Sequence, residues 1–89
     1  MDSQTSRLDG NALGGSLSEI FVEEMTSARV ACRGCGQVEP LGAEHAYVQA
    51  PGAVVRCRHC EDVLLVIVQG AERSFVGCTA RWMEIPRPR

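Results

Sequence analysis

Cys32-Arg33-Gly34-Cys35 and Cys57-Arg58-His59-Cys60, two C-x-x-C pairs with 21 residues between them, decide how this chain of 89 residues is read. Two residues between thiolates let one tight turn aim both sulfurs, and several backbone amides, at a single point. Two such turns close a tetrahedral shell of four sulfurs, which zinc accepts without an electronic preference of its own. The spacer is slightly longer than the roughly 15–20 residues of the common double-pair zinc pattern. Gly36 follows the first pair directly, where the backbone often needs positive φ. The sequence therefore predicts one Zn2+ per chain, held by Cys32, Cys35, Cys57 and Cys60. Iron is the alternative, because a single iron uses the same four ligands. One-iron electron carriers tend to wrap the site in a dense aromatic core, however, and this chain has one Trp, one Tyr and two Phe. A thioredoxin-like dithiol would start a helix. Both pairs here lie between strand-like segments.

Working outward, residues 29–32 lead into the first pair and residues 37–41 lead out of it. Residues 44–50 set His45, Tyr47 and Gln49 against Ala46 and Val48, a period-two pattern. Pro51-Gly52 is a turn pair, and residues 53–56 lead into the second knuckle. Residues 63–68 are apolar on both strand faces, so a ribbon that covers one face leaves the other in need of a lid. Residues 75–85 read as one long strand bent at Gly77, ended by Pro86 and Pro88.

The lid is predicted upstream. Leu13, Leu17, Ile20, Phe21 and Met25 recur at helical spacing, with Ser18, Glu19, Glu23 and Glu24 on the other side. Ser16 and Glu19 match a capping box, which places a helix at 16–26 after a separate turn at 8–13. A homodimer partner is the rival cover for the apolar strand; the intramolecular lid, and hence a monomer, is preferred. The predicted fold class is small α+β, a zinc ribbon of antiparallel strands with one N-terminal helix packed on it. Its divisions are a flexible N-terminus at 1–7, an amphipathic helix segment at 8–27, the ribbon at 28–85 and a Pro/Arg tail at 86–89.

Composition narrows the function classes. At 45% hydrophobic and 22% charged residues the chain is ordinary globular material. Its longest apolar run, residues 63–68, is too short to span a bilayer, so no membrane role is expected. The opening MDSQTSRLDG lacks the basic patch and apolar stretch of an export signal, and cysteines in such a chain point to metal and a cytoplasmic location. The net charge of −2 hides an asymmetry. Residues 1–27 hold one arginine against five acids, and residues 28–89 hold eight arginines against six. Arg33, Arg56 and Arg58 are candidate contacts for nucleic acid or a protein partner. Their bland role would be to offset the formal charge of a Zn(Cys)4 centre. Cys78 reads as a buried thiol acting as a small hydrophobe, and neither His45 nor His59 is needed as a ligand. No nucleophile–base pair, phosphate loop or paired carboxylates are visible, so no catalysis is expected.

The segments Leu8-Asp9-Gly10-Asn11-Ala12-Leu13, Ser18-Glu19-Ile20-Phe21, Cys32-x-x-Cys35-Gly36 and Val55-Arg56-Cys57-x-x-Cys60 with Val63-Leu64-Leu65 together resemble a small bacterial family of uncharacterised zinc-ribbon proteins. The resemblance implies the same four cysteine ligands and supplies no activity. The expected role is a structural zinc site in a protein-interaction or regulatory module. The alternatives are a nucleic-acid-binding ribbon and a thiolate redox or metal-handling protein.

Overall fold

The computed structural model describes residues 6–21, 24–49 and 51–87. Among these residues eight strands and one α-helix follow in the order β1 (Ser6–Asp9), α1 (Gly14–Ile20), β2 (Arg29–Ala31), β3 (Val38–Pro40), β4 (His45–Gln49), β5 (Gly52–Arg56), β6 (Val63–Gln69), β7 (Ser74–Cys78) and β8 (Trp82–Glu84). Short 3-10 turns at Gly10–Leu13, Met25–Ser27 and Leu41–Ala43 fill the connections. The strands form two antiparallel sheets, a five-stranded one ordered β1-β4-β5-β6-β7 and a three-stranded one ordered β3-β2-β8. The class is α+β, with more sheet than a single ribbon supplies. Residues 6 and 7, read from sequence as part of a loose end, pair with Val48 and Tyr47 of β4.

Side-chain alternation decides which sheet face is dry. Ala46, Ala53, Val55, Leu65 and Ile67 are buried and lie on one face of the large sheet, as their cross-strand partnerships require. Tyr47, Val54, Val66, Val68 and Phe75 share the opposite face. Between Val55 and Arg56 the β5–β6 register shifts, so that β6 carries one extra residue, Leu64. This bulge lets consecutive leucines, Leu64 and Leu65, both be buried. The dry face packs against Leu13, Leu17 and Met25, with Ile20 and Phe21 partly buried at the margin. The leader is therefore the lid of the apolar strand, and one core runs through leader, both sheets and the cysteines Cys32 and Cys57.

Three boundaries differ from the sequence reading. The helix ends at Ile20, because Phe21 is extended (φ −114°, ψ 144°) while its N–H still bonds Leu17 O at 2.8 Å. The Glu24 carboxylate then accepts from Thr26 N at 3.0 Å and starts a new turn, which delivers Met25 to the core. Val22 and Glu23, the remainder of the predicted helix, lie outside the described residues. The Ser16–Glu19 capping box does not form. The turn at Gly10–Leu13 runs straight into α1, Gly14 N bonding Asn11 O, and Ser16 falls inside the helix.

The predicted strand at 75–85 is two strands in two sheets. Thr79 N bonds Leu64 O, and its hydroxyl donates to Val63 O at 2.6 Å. Two residues later Arg81 N bonds Ala31 O at 2.8 Å. The chain thus leaves one sheet and enters the other around buried Ala80, and Gly77 lies inside β7. Of the tail at 86–89, Pro88 and Arg89 lie outside the described residues.

Candidate metal centre

Each C-x-x-C pair closes a hairpin, the first joining β2 to β3 and the second joining β5 to β6. The two turns repeat one backbone pattern. Gly36 N bonds Cys32 O and Cys32 N bonds Gln37 O, both at 3.0 Å; Glu61 N bonds Cys57 O and Cys57 N bonds Asp62 O, both at 2.8 Å. Both turns place the residue after the second cysteine in the left-handed region, Gly36 at φ 79° and Glu61 at φ 68°. Glycine accepts that conformation freely and glutamate does not. Glu61 is held there by its neighbours: Tyr47 OH donates to Oε1 at 2.8 Å, His45 Nδ1 lies 2.5 Å from Oε2, and Arg56 donates to the Glu61 carbonyl at 2.9 Å. Those hydrogen bonds, His45 first, hold the Glu61 carboxyl below its ordinary range.

The four sulfurs lie within 4.8 Å of one another. Cys32 Sγ is 3.4 Å from Cys60 Sγ, and Cys35 Sγ is 3.6 Å from Cys57 Sγ. These separations are far too long for a disulfide. A zinc–sulfur bond of about 2.3 Å implies sulfurs about 3.8 Å apart in a tetrahedron, so the set fits a tetrahedral ion. Cys32 and Cys57 are buried in the core, whereas Cys35 and Cys60 are exposed. Backbone amides turn toward the sulfurs, as His59 N does to Cys57 Sγ at 3.4 Å. Burial opposes ionisation of Cys32, yet amides of Cys35 and Gly34 and the Cys60 thiol outweigh it and bring Cys32 down to about 7. Burial raises Cys57. At Cys60 the Asp62 amide favours the thiolate, but neighbouring thiols push it up to about 12. Ionising one sulfur thus opposes ionising the next, and a full thiolate set requires a cation at the centre.

The two knuckles are tied to each other and to both sheets. His59 Nε2 lies 2.8 Å from Glu39 Oε2 on β3, which engages that ring nitrogen with a carboxylate outside the sulfur cluster. The Asp62 carboxylate sits where a side chain at Gly34 would go. Glu44, 1% exposed, accepts from Arg58 N at 2.8 Å and anchors the second knuckle to the start of β4. Burial raises its carboxyl above the ordinary value. Sequence reasoning passed over this residue, since nothing local marks an acid as buried.

Of the candidate contact residues, Arg33 is on the first knuckle and donates to Thr79 O at 3.4 Å. Arg56 is directed to Glu61 and stands 6.0 Å from the Tyr47 ring centroid. Arg58 is exposed on the second knuckle. The three do not form one stripe of uncommitted cations. Cys78 corrects the sequence reading: it is exposed, because β7 is an edge strand and gives its side chains cover from one neighbour only.

Among the described residues no helix is long and apolar enough to cross a membrane. The model of a family described as a family of unknown function, DUF6510, matches residues 2–88, and the chain belongs to that family. The match takes in both the leader and the knuckle motifs. No curated protein and no solved structure matches the chain.

Proposed function

We propose that this DUF6510 chain is a small zinc protein whose four-cysteine site is structural, and that it serves in the cytoplasm as a protein-interaction or regulatory module. The observation that carries the reading is the convergence of Cys32, Cys35, Cys57 and Cys60 from hairpins of two different sheets. An ion there would join the sheets through bonds that neither hairpin makes alone. Zinc fits because the ligands are thiolates in a tetrahedral set, and four of them leave no open position for water or substrate. That ligand count is the argument against catalysis. A rigid platform with ordered knuckles and an acidic leader suits recognition of another macromolecule. A protein is favoured over nucleic acid because Arg33 and Arg56 are engaged within the fold.

Native mass spectrometry with elemental analysis of the same sample tests the site. One zinc per chain is expected; iron would revive the electron-carrier reading, and no metal would overturn the proposal. A second reading is favoured by the exposure of Cys35 and Cys60. Peroxide reaching those sulfurs would oxidise them and release the metal. Zinc lost at mild peroxide and regained on reduction would establish it.

A further inference from the structure

The helix lid covers one face of the large sheet and leaves its β7 edge untouched. That edge has a specific pattern. All five residues from Ser74 to Cys78 are exposed, Phe75 at 60% and Val76 at 43%. β7 pairs with β6 on one side, and no strand among the described residues pairs with it on the other. Edge strands that must stay single are protected by charges, proline, bulges or extreme shortness. β7 carries no charge and no proline, and its register with β6 is unbroken over all five residues. The opposite edge, β1, carries Arg7 and Asp9.

We infer that β7 pairs antiparallel with β7 of a second copy of this chain, continuing the five-stranded sheet across a two-fold axis at Val76. The sequence of the strand complements itself in that register. Phe75 comes opposite the partner's Gly77, and no atom beyond Gly77 and its two chain neighbours lies within 4 Å of where a side chain at Gly77 would stand. An aromatic ring across from a strand glycine fills that gap. Phe75 also shares its face with Val66 and Val68, so the pairing joins the apolar stripes of the two open sheet faces. On the other face Val76 meets its own counterpart, next to Ile67 of the core. Ser74 comes opposite Cys78. Glu72 and Arg73 precede the strand and Arg81 follows it, so each end of the pairing brings one acid together with two arginines. A five-residue strand buries less than the about 1,200–2,000 Å² of a standard interface, so a weak, concentration-dependent dimer is expected.

Sedimentation velocity of the metal-loaded full chain, from about 10 μM to about 1 mM, tests this. A reversible monomer–dimer equilibrium is expected. Val76→Lys should weaken it at least tenfold while metal content and amide dispersion stay as in the parent. Cysteine cross-linking then reads the register. In a Cys78→Ser background, Val76→Cys should form an intermolecular disulfide with oxidised glutathione, and Phe75→Cys should not. A monomer at every concentration overturns the inference. So does a dimer that survives Val76→Lys, or cross-linking that is equal at both positions, since either places the contact elsewhere.

Discussion

Glu61 is the residue whose conformation runs against its chemistry. It occupies the turn position that Gly36 fills in the other knuckle, at a left-handed φ that disfavours a side chain by about 1–2 kcal/mol. Its partly exposed carboxylate offsets this through His45 and Tyr47, with hydrogen bonds contributing about 0.5–1.5 kcal/mol each before solvent screening. Glu61→Ala keeps the strain and loses both bonds, so it should destabilise the protein by about 1–2 kcal/mol in chemical denaturation. Glu61→Gly loses the bonds and the strain together and should stay within about 1 kcal/mol of the parent. A glycine variant less stable than the alanine variant would refute this account. Glu44 gives the opposite lesson in charge. Its pKa is raised in the fold, so the folded state binds the proton more tightly and this group favours folding more as pH falls from neutrality toward 4.5. Glu61, with its lowered pKa, loses its contribution over the acid range as pH falls through the folded value. The stability of the parent relative to Glu44→Gln should therefore rise on acidification, measured as the difference between paired denaturation curves. A flat difference would mean that Glu44 does not titrate as a buried acid.

At the scale of elements, the leader matters more than its seven-residue helix suggests. Leu17 on α1 is 1% exposed and reaches the same core as Leu64 and Ile67. Leu17→Ala should cost about 2–5 kcal/mol, measured by denaturant titration of the metal-loaded protein. Ile20→Ala, at the margin of that core, should cost clearly less. Gly10 lets the turn before α1 lie against Leu41, because a side chain there would run into the Leu41 carbonyl. That obstacle is backbone, which makes Gly10→Ala destabilising in spite of the better propensity of alanine. Much of this level was legible in the sequence: strands at 29–32, 44–50, 53–56 and 63–68 follow from alternation and turn residues, and the lid from helical spacing. The break in 75–85 was not. Thr79 and Ala80 fit a strand locally, and only their bonds to Val63, Leu64 and the neighbouring β2 end it. The exposure of Cys78 depends likewise on strand order, which one strand's residues do not encode.

For the whole molecule, the question is what holds two sheets together in so short a chain. The cysteine spacing made the site readable, while its place at the joint between sheets emerges only from topology. Structural zinc supplies on the order of 10–16 kcal/mol of apparent binding free energy. That is comparable to the roughly 5–15 kcal/mol net stability of an ordinary domain. Removal of the metal by a chelator, or Cys32→Ser, should therefore abolish cooperative structure across residues 29–85, read as collapse of amide dispersion. Dispersion that survives complete removal would show that the core suffices alone. The crossing from β7 to β8 adds a consequence in time. During synthesis the fourth sulfur, that of Cys60, is made before β8, the strand that completes the small sheet beside β2. Under the proposed function an ion can be captured while that sheet is still a two-stranded hairpin, and β8 then docks onto a framework that is already fixed.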